Sequence, residues 1–251
     1  LGLDREAVCA TPKEFPKYAE EHPSWGMPYA LPGLDDRDHA TITEWVEAGA
    51  PSTPPPSLSQ DVLDAVARWE AFFNEPALKS RLVARYIYEH LFLANLYFSD
   101  LQPEDTAADQ RVFFRLVRSN TPHGQAIDEI PTRRPFEDPG PGPVYYRLLR
   151  KHETVLAKTN LPYALNEARM ARWQELFFAP LYEVTELPSY EPEVAANPFR
   201  AFHAIPARSR YRFMLDEAEF TMMGFIKGPV CRGQLAVDVI QDRFWITFVN
   251  P

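Results

Sequence analysis

The chain has 251 residues, 45% of them hydrophobic and 24% charged, with a net charge of −9. That is enough chain for one large core or two small ones, and its acidity argues against a nucleic-acid partner. No apolar run reaches the roughly 18 residues of a bilayer span; the longest, "YIYEHLFLANLYF", is interrupted by Glu89, His90 and Asn95.

In chain order, the first predicted element is a helix opening at Asp35-Asp36-Arg37-Asp38. Its acidic first turn suits the positive end of the helix dipole. Ile42, Trp45 and Val46 fall on one face and Gly49 stops it. The Pro- and Ser-rich stretch "GAPSTPPPSLS" then reads as an extended linker. The expected organisation is therefore residues 1–50, a linker at 51–59, and a second region over 60–251.

Ser59 caps the next helix, in which Val62, Val66, Trp69 and Phe73 form a helical stripe. After Pro76 a further helix is predicted over 77–98, with Leu78, Leu82, Tyr86, Leu93 and Tyr97 on its apolar face. "RVFFRLVRS" and "VYYRLLRKH" read as strands between turn-rich segments, although a helix stays open for the first. A helix carrying Leu165, Ala168, Met170, Trp173, Leu176 and Phe177 follows, then one near 208–226 and another over "CRGQLAVDVIQDRFW". The predicted class is α+β, helix-heavy, with a small sheet.

Charge is uneven along the chain. Residues 111–158 sum to +4 and the remainder to −13. Such a zone is either a solvated, ion-paired face or a surface for phosphates such as lipid headgroups. No phosphate-binding Gly-rich loop and no Gly-x-Ser-x-Gly elbow occur, so nucleotide chemistry and ordinary hydrolysis have no residues to rest on. His22, His39, His123, His152 and His203 are too scattered for a linear metal motif, and His90 is a weak catalytic candidate in an aromatic helix. Cys9 and Cys231 cannot make a metal site by themselves, and whether they pair stays open. Cys231, after a Gly-Pro turn and before Arg232, is either a reactive or bonded thiol or a plain structural one. "LGLDREAVC" lacks the form of a signal peptide, and both ends are expected to be cuts in a longer protein.

"GMPYALPGLDDRDHATITEWVEAGAP" resembles the C-terminal half of a c-type cytochrome domain, which makes Met27 a possible axial haem ligand. No Cys-x-x-Cys-His occurs in the sequence. "CATPKEFPKYAEEHPSWGMPYALPGL", "RLVARYIYEHLFLA", "FFRLVRSNTP", "PTRRPFEDPG", "YYRLLRKHETVLAKTNLPYAL", "AIPARSRYRFMLDEAEF" and "GPVCRGQLAVDVIQDRFW" together resemble the bacterial fatty acid cis/trans isomerases over nearly the whole chain.

That resemblance implies a periplasmic haem c isomerase that converts cis-unsaturated acyl chains of membrane phospholipids to trans without a nucleotide cofactor. It implies a haem-attachment motif outside this chain, a partly cytochrome c-like 1–50 segment, and a chain that is inactive alone. The aromatic stretch "RYIYEHLFLANLYF" is then expected to form the acyl slot, and Arg133 and Arg134 in the basic zone to meet the headgroup at the inner membrane surface. The competing expectation is a non-enzymatic periplasmic cytochrome module for electron transfer or protein contact, and the blandest is a helical interaction domain.

Overall fold

The structure, a computed structural model, describes residues 10–11, 13–23, 34–51, 57–102, 111–152, 161–218 and 220–222. The chain divides into two compact units, Leu1–Pro56 and Ser57–Pro251.

In the first unit, α1 spans Phe15–Glu21 and α2 spans Asp36–Glu47. Asp35 caps α2 by accepting a hydrogen bond from the Asp38 amide at 2.8 Å, which satisfies one of the four free N–H groups of a helix start. The helix ends where Gly49 takes φ +85°. Ile42, Trp45 and Val46 do share a face, but that face is solvent-exposed, with Val46 at 58%. Trp45 Nε1 donates to the Pro51 carbonyl and so ties the helix to the chain beyond it.

The second unit is built on a four-stranded mixed sheet. Its strands are β1 (Asn95–Phe98), β2 (Phe114–Ser119), β3 (Tyr145–Arg150) and β4 (Pro162–Leu165), in the order β3-β2-β1-β4. β2 pairs antiparallel with both β1 and β3, whereas β4 lies parallel to β1. The helices are α3 (Gln60–Phe73), α4 (Leu78–Leu91), α5 (Glu167–Phe177), the single turns α6 (Pro192–Ala195) and α7 (Pro198–Ala201), and α8 (Ala207–Asp216). The class is α+β, helix-heavy, as the sequence predicts, and the two arginine-rich segments are the strands expected of them.

One core joins Trp69 and Phe73 of α3, Leu82 and Ile87 of α4, the Leu96/Phe98 face of β1, Leu116, Leu148, Leu165, and Trp173 and Phe177 of α5. On the opposite face, Tyr97 packs with Phe113 and Ala164 in a smaller cluster.

Three expectations are corrected. The helix predicted over 77–98 stops at Leu91, and Asn95–Phe98 is a strand. Its four residues are all buried because β1 is a central strand, and a short run buried on both faces looks the same as buried helix by periodicity. Leu93 therefore points to solvent and Tyr97 belongs to the sheet. Leu165 is likewise not helical: "PYAL" forms β4, and α5 begins only after the Asn166 cap. The helix expected at 208–226 is interrupted at Glu217, whose backbone leaves the helical region. The helix predicted over 231–245 lies outside the described residues.

Candidate functional site

β1 and β4 run parallel, and their carboxyl ends open into a cleft of about 610 Å³ between α3 and α5. Ala65 and Trp69 form one wall, Met170 and Ala171 the other, and Phe98 and Leu165 the floor, with Arg68 and Asp100 at the rim. Apolar walls with a few polar groups at the edge, at this volume, suit an apolar ligand. At the N-terminus of α5, two of the first three amide donors are already used. Asn166 accepts from the Arg169 amide at 2.7 Å and Asp100 from the Glu167 amide at 3.0 Å.

A second cleft, of about 460 Å³, opens beside Phe73 and Asn74 at the end of α3. Arg85 of α4 reaches into it from below. Its Nε bonds Glu89, one helical turn on, at 2.8 Å, and its Nη1 donates to the Pro188 carbonyl at 2.7 Å. The Tyr190 ring stacks 3.9 Å from the guanidinium. Close by is Arg118 of β2, 1% exposed, whose guanidinium faces the rings of Tyr88 and Tyr190. Arg85 Nη2 and Arg118 Nε and Nη2 are buried donors that no acceptor meets among the described residues. Burial pushes the Glu89 carboxyl above the usual range, against the pull of both arginines. The cluster thus holds two cations against one carboxylate.

Around the corner, Glu70 of α3 is 1% exposed and accepts three hydrogen bonds. They come from His123 Nδ1 at 2.6 Å, Arg147 Nε at 2.8 Å and the Leu148 amide at 2.8 Å. Asn74, one turn later, bonds both the amide and the carbonyl of Tyr146. Arg147 also donates to the carbonyls of Thr121, Pro122 and Gln125, so the loop after β2 is fastened to α3 through a buried ion pair. His123 leaves its remaining ring edge to solvent, and nothing converges on it that would make it a reacting group.

The model of the fatty acid cis/trans isomerase (CTI) family matches residues 1–251. The chain belongs to this family. No curated protein and no solved structure gives a significant match. Membership supports an isomerase of unsaturated fatty acids, and such an isomerase needs a place for a flexible hydrocarbon chain and a means to hold its polar end. Among the described residues, the two clefts have those characters.

Measured against this family, the residues singled out in the sequence fall apart in space or drop from view. Met27, Cys9 and Cys231 lie outside the described residues. His90 is half-buried and packs against aromatic rings, with Tyr86 at 4.1 Å and Phe213 at 5.7 Å between ring centres. Its Nδ1–H donates to the Tyr86 carbonyl at 2.8 Å, and burial pushes its pKa below the usual 6.5. A lowered pKa keeps the ring neutral near pH 7. Among the described residues no three His, Cys, Asp or Glu side chains converge as metal ligands.

The stretch "RYIYEHLFLANLYF" is packed core over most of its length, with Ile87 and Leu96 fully buried. It is not an open slot; Phe98 contributes to the floor of the first cleft and Arg85 to the second. The basic zone is not one surface either. Arg118 and Arg147 point inward and Arg115 pairs with Glu129 at 3.1 Å. Arg133 and Arg134 are exposed in the β2–β3 loop, Arg133 at 92% beside Glu137 and Arg134 near the Phe136 ring.

Arg85, Arg118 and Glu70 were missed by sequence reasoning, though a signal was present for two. Arg118 has the same strand parity as Phe114 and Leu116, and Glu70 lies four residues from Val66 and three from Phe73 on the buried stripe. A charge in phase with a core pattern marks a buried polar partner.

Proposed function

We propose that the chain takes part in haem-dependent cis-to-trans isomerisation of unsaturated acyl chains in membrane phospholipids, with no nucleotide cofactor, in the periplasm. The observation that carries the substrate side is the apolar cleft between α3 and α5. Rotation about a double bond swings one half of the chain relative to the other. A site for it must grip hydrocarbon without enclosing both halves, and a cleft open along one side meets that need. Haem dependence, the assignment of Met27, an attachment motif outside this sequence, and the location rest on the sequence resemblance.

Ala171 is exposed on the cleft wall, so Ala171→Trp fills the cleft without disturbing the core. The variant is expected to lower binding of cis-parinarate, followed by fluorescence, at least tenfold. In cells making the haem-loaded protein it is expected to lower the trans-to-cis ratio, measured by gas chromatography, by a similar factor. Unchanged binding and an unchanged ratio would remove the cleft from the mechanism.

Headgroup contact at the inner membrane surface is assigned to Arg133 and Arg134. Each basic residue near an anionic bilayer contributes about 1 kcal/mol, so the double alanine variant is expected to bind anionic vesicles roughly tenfold or more weakly in sedimentation. Equal sedimentation of variant and parent would sink that assignment.

A further inference from the structure

Buried arginines cost several kcal/mol to desolvate, at order of magnitude, and are ordinarily compensated by a full set of acceptors. Arg85 and Arg118 are not. They share one carboxylate, Glu89, and three of their buried donors meet no acceptor among the described residues. Arg118 stands in a strand where its two same-face predecessors, Phe114 and Leu116, are core residues. A leucine there would fill space without stranding a charge. Apart from Glu89 and the Pro188 carbonyl, which Arg85 bonds, the pair is surrounded by aromatic surface: Tyr88 and Tyr190 over Arg118, Tyr190 over Arg85, and Tyr146 opposite Arg118 in the strand register. Aromatic faces steady a guanidinium but leave its in-plane N–H donors free.

The cluster also has a way in. Arg85, Tyr146 and Tyr190 line the 460 Å³ cleft, whose far side is the Pro139–Val144 loop. The segment carrying Pro188 and Tyr190 has no regular secondary structure, and its link to Arg85 is one carbonyl bond and one ring contact. Two guanidinium groups with donors left over in a plane match an oxyanion better than a point charge would. With one of the two positive charges met by Glu89, the site suits a ligand of charge −1.

We propose that Arg85 and Arg118 form a binding site for a singly charged oxyanion at the end of a lipid chain, the carboxylate of a free fatty acid or the phosphodiester of a phospholipid. Tyr190 covers the arginines and swings aside to admit it. The choice of a lipid anion rests on the isomerase reading above; the anion site itself rests on the arginines. The two clefts lie one turn apart along α3, at Trp69 and Phe73, or about 6 Å of helix rise. A lipid with its head at the arginines therefore has its chain within reach of the apolar cleft.

The test is calorimetric titration of the 251-residue chain with octanoate, 1-octanol and dihexanoylphosphatidylglycerol. Octanol reports the apolar cleft alone, and any preference for the charged ligands over octanol reports the arginines. At least one charged ligand is expected to bind ten times more tightly than octanol, and which one does so identifies the carboxylate or the phosphodiester as the ligand. Arg85→Gln and Arg118→Gln should each erase that preference while leaving octanol binding intact. No preference in the unaltered protein, whether octanol binds or not, overturns the proposal without any variant having to fold. Octanol binding with no preference leaves the isomerase reading standing, whereas a preference that Ala171→Trp does not touch supports the arginine site by itself.

Discussion

Replacing Glu70 with alanine is expected to cost about 3–5 kcal/mol, the usual loss when one partner of a buried ion pair is removed. The change leaves Arg147, whose side chain is 7% exposed, with carbonyls alone to balance its charge, and leaves the Leu148 amide without its acceptor. It also frees His123 and with it the loop after β2. Urea unfolding followed by circular dichroism measures the loss, and limited proteolysis around residues 121–125 reports the loop. Glu70→Gln keeps an acceptor for Leu148 but not the charge, so its loss should be smaller. A cost below 1 kcal/mol for the alanine variant would mean that the pair contributes nothing to the fold beyond its own desolvation.

Trp173→Ala is expected to be of similar size, about 3–5 kcal/mol, by a different route. Trp173 is 1% exposed, and its ring centre lies 5.4 Å from Trp69, 5.8 Å from Phe213 and 6.4 Å from Tyr163. It is the point where α3, α5, α8 and β4 meet. Truncation leaves a hole that four elements border, and none can close it without giving up contacts elsewhere. Thermal unfolding should show the drop, with Trp173→Phe recovering most of it. Because Trp69 adjoins Glu70, the two losses are not expected to add when both are combined. A fully additive double variant would show that the ion pair and the aromatic core are independent.

Much of this fold is legible from side-chain pattern. Ser59 and Asp35 announce the starts of α3 and α2, and each side chain accepts the N3 amide bond expected of a cap. The phenylalanines, tyrosines and leucines flanked by turns in 111–119 and 144–152 announce β2 and β3. β1 and β4 are not legible in this way. Each is four residues long, and what makes them strands is each other: Leu96 pairs with Tyr163 and Phe98 with Leu165 across 67 residues of sequence. Local propensity carries no trace of a partner that distant. The candidate site is the least legible part. Ala65 and Ala171 are unremarked alanines until α3 and α5 face one another, and Arg85 reads as one more charge on an amphipathic helix until Pro188 and Tyr190 close over it. His90, which draws the eye by type, packs against the rings of Tyr86 and Phe213.

The bonds from α3 to β3 have a further consequence. β3 is the last strand of its sheet, with no neighbour beyond it among the described strands. Such a border ordinarily exposes a row of backbone groups to which any passing strand can add, and it is where sheets recruit unwanted copies. Here two side chains of a neighbouring helix occupy the row: Asn74 takes the amide and carbonyl of Tyr146, and Glu70 takes the amide of Leu148. They imitate the strand that is missing, at the every-second-residue spacing a real one would use. The sheet is thereby terminated from within its own unit, and at Tyr146 and Leu148 that border is closed to an added strand.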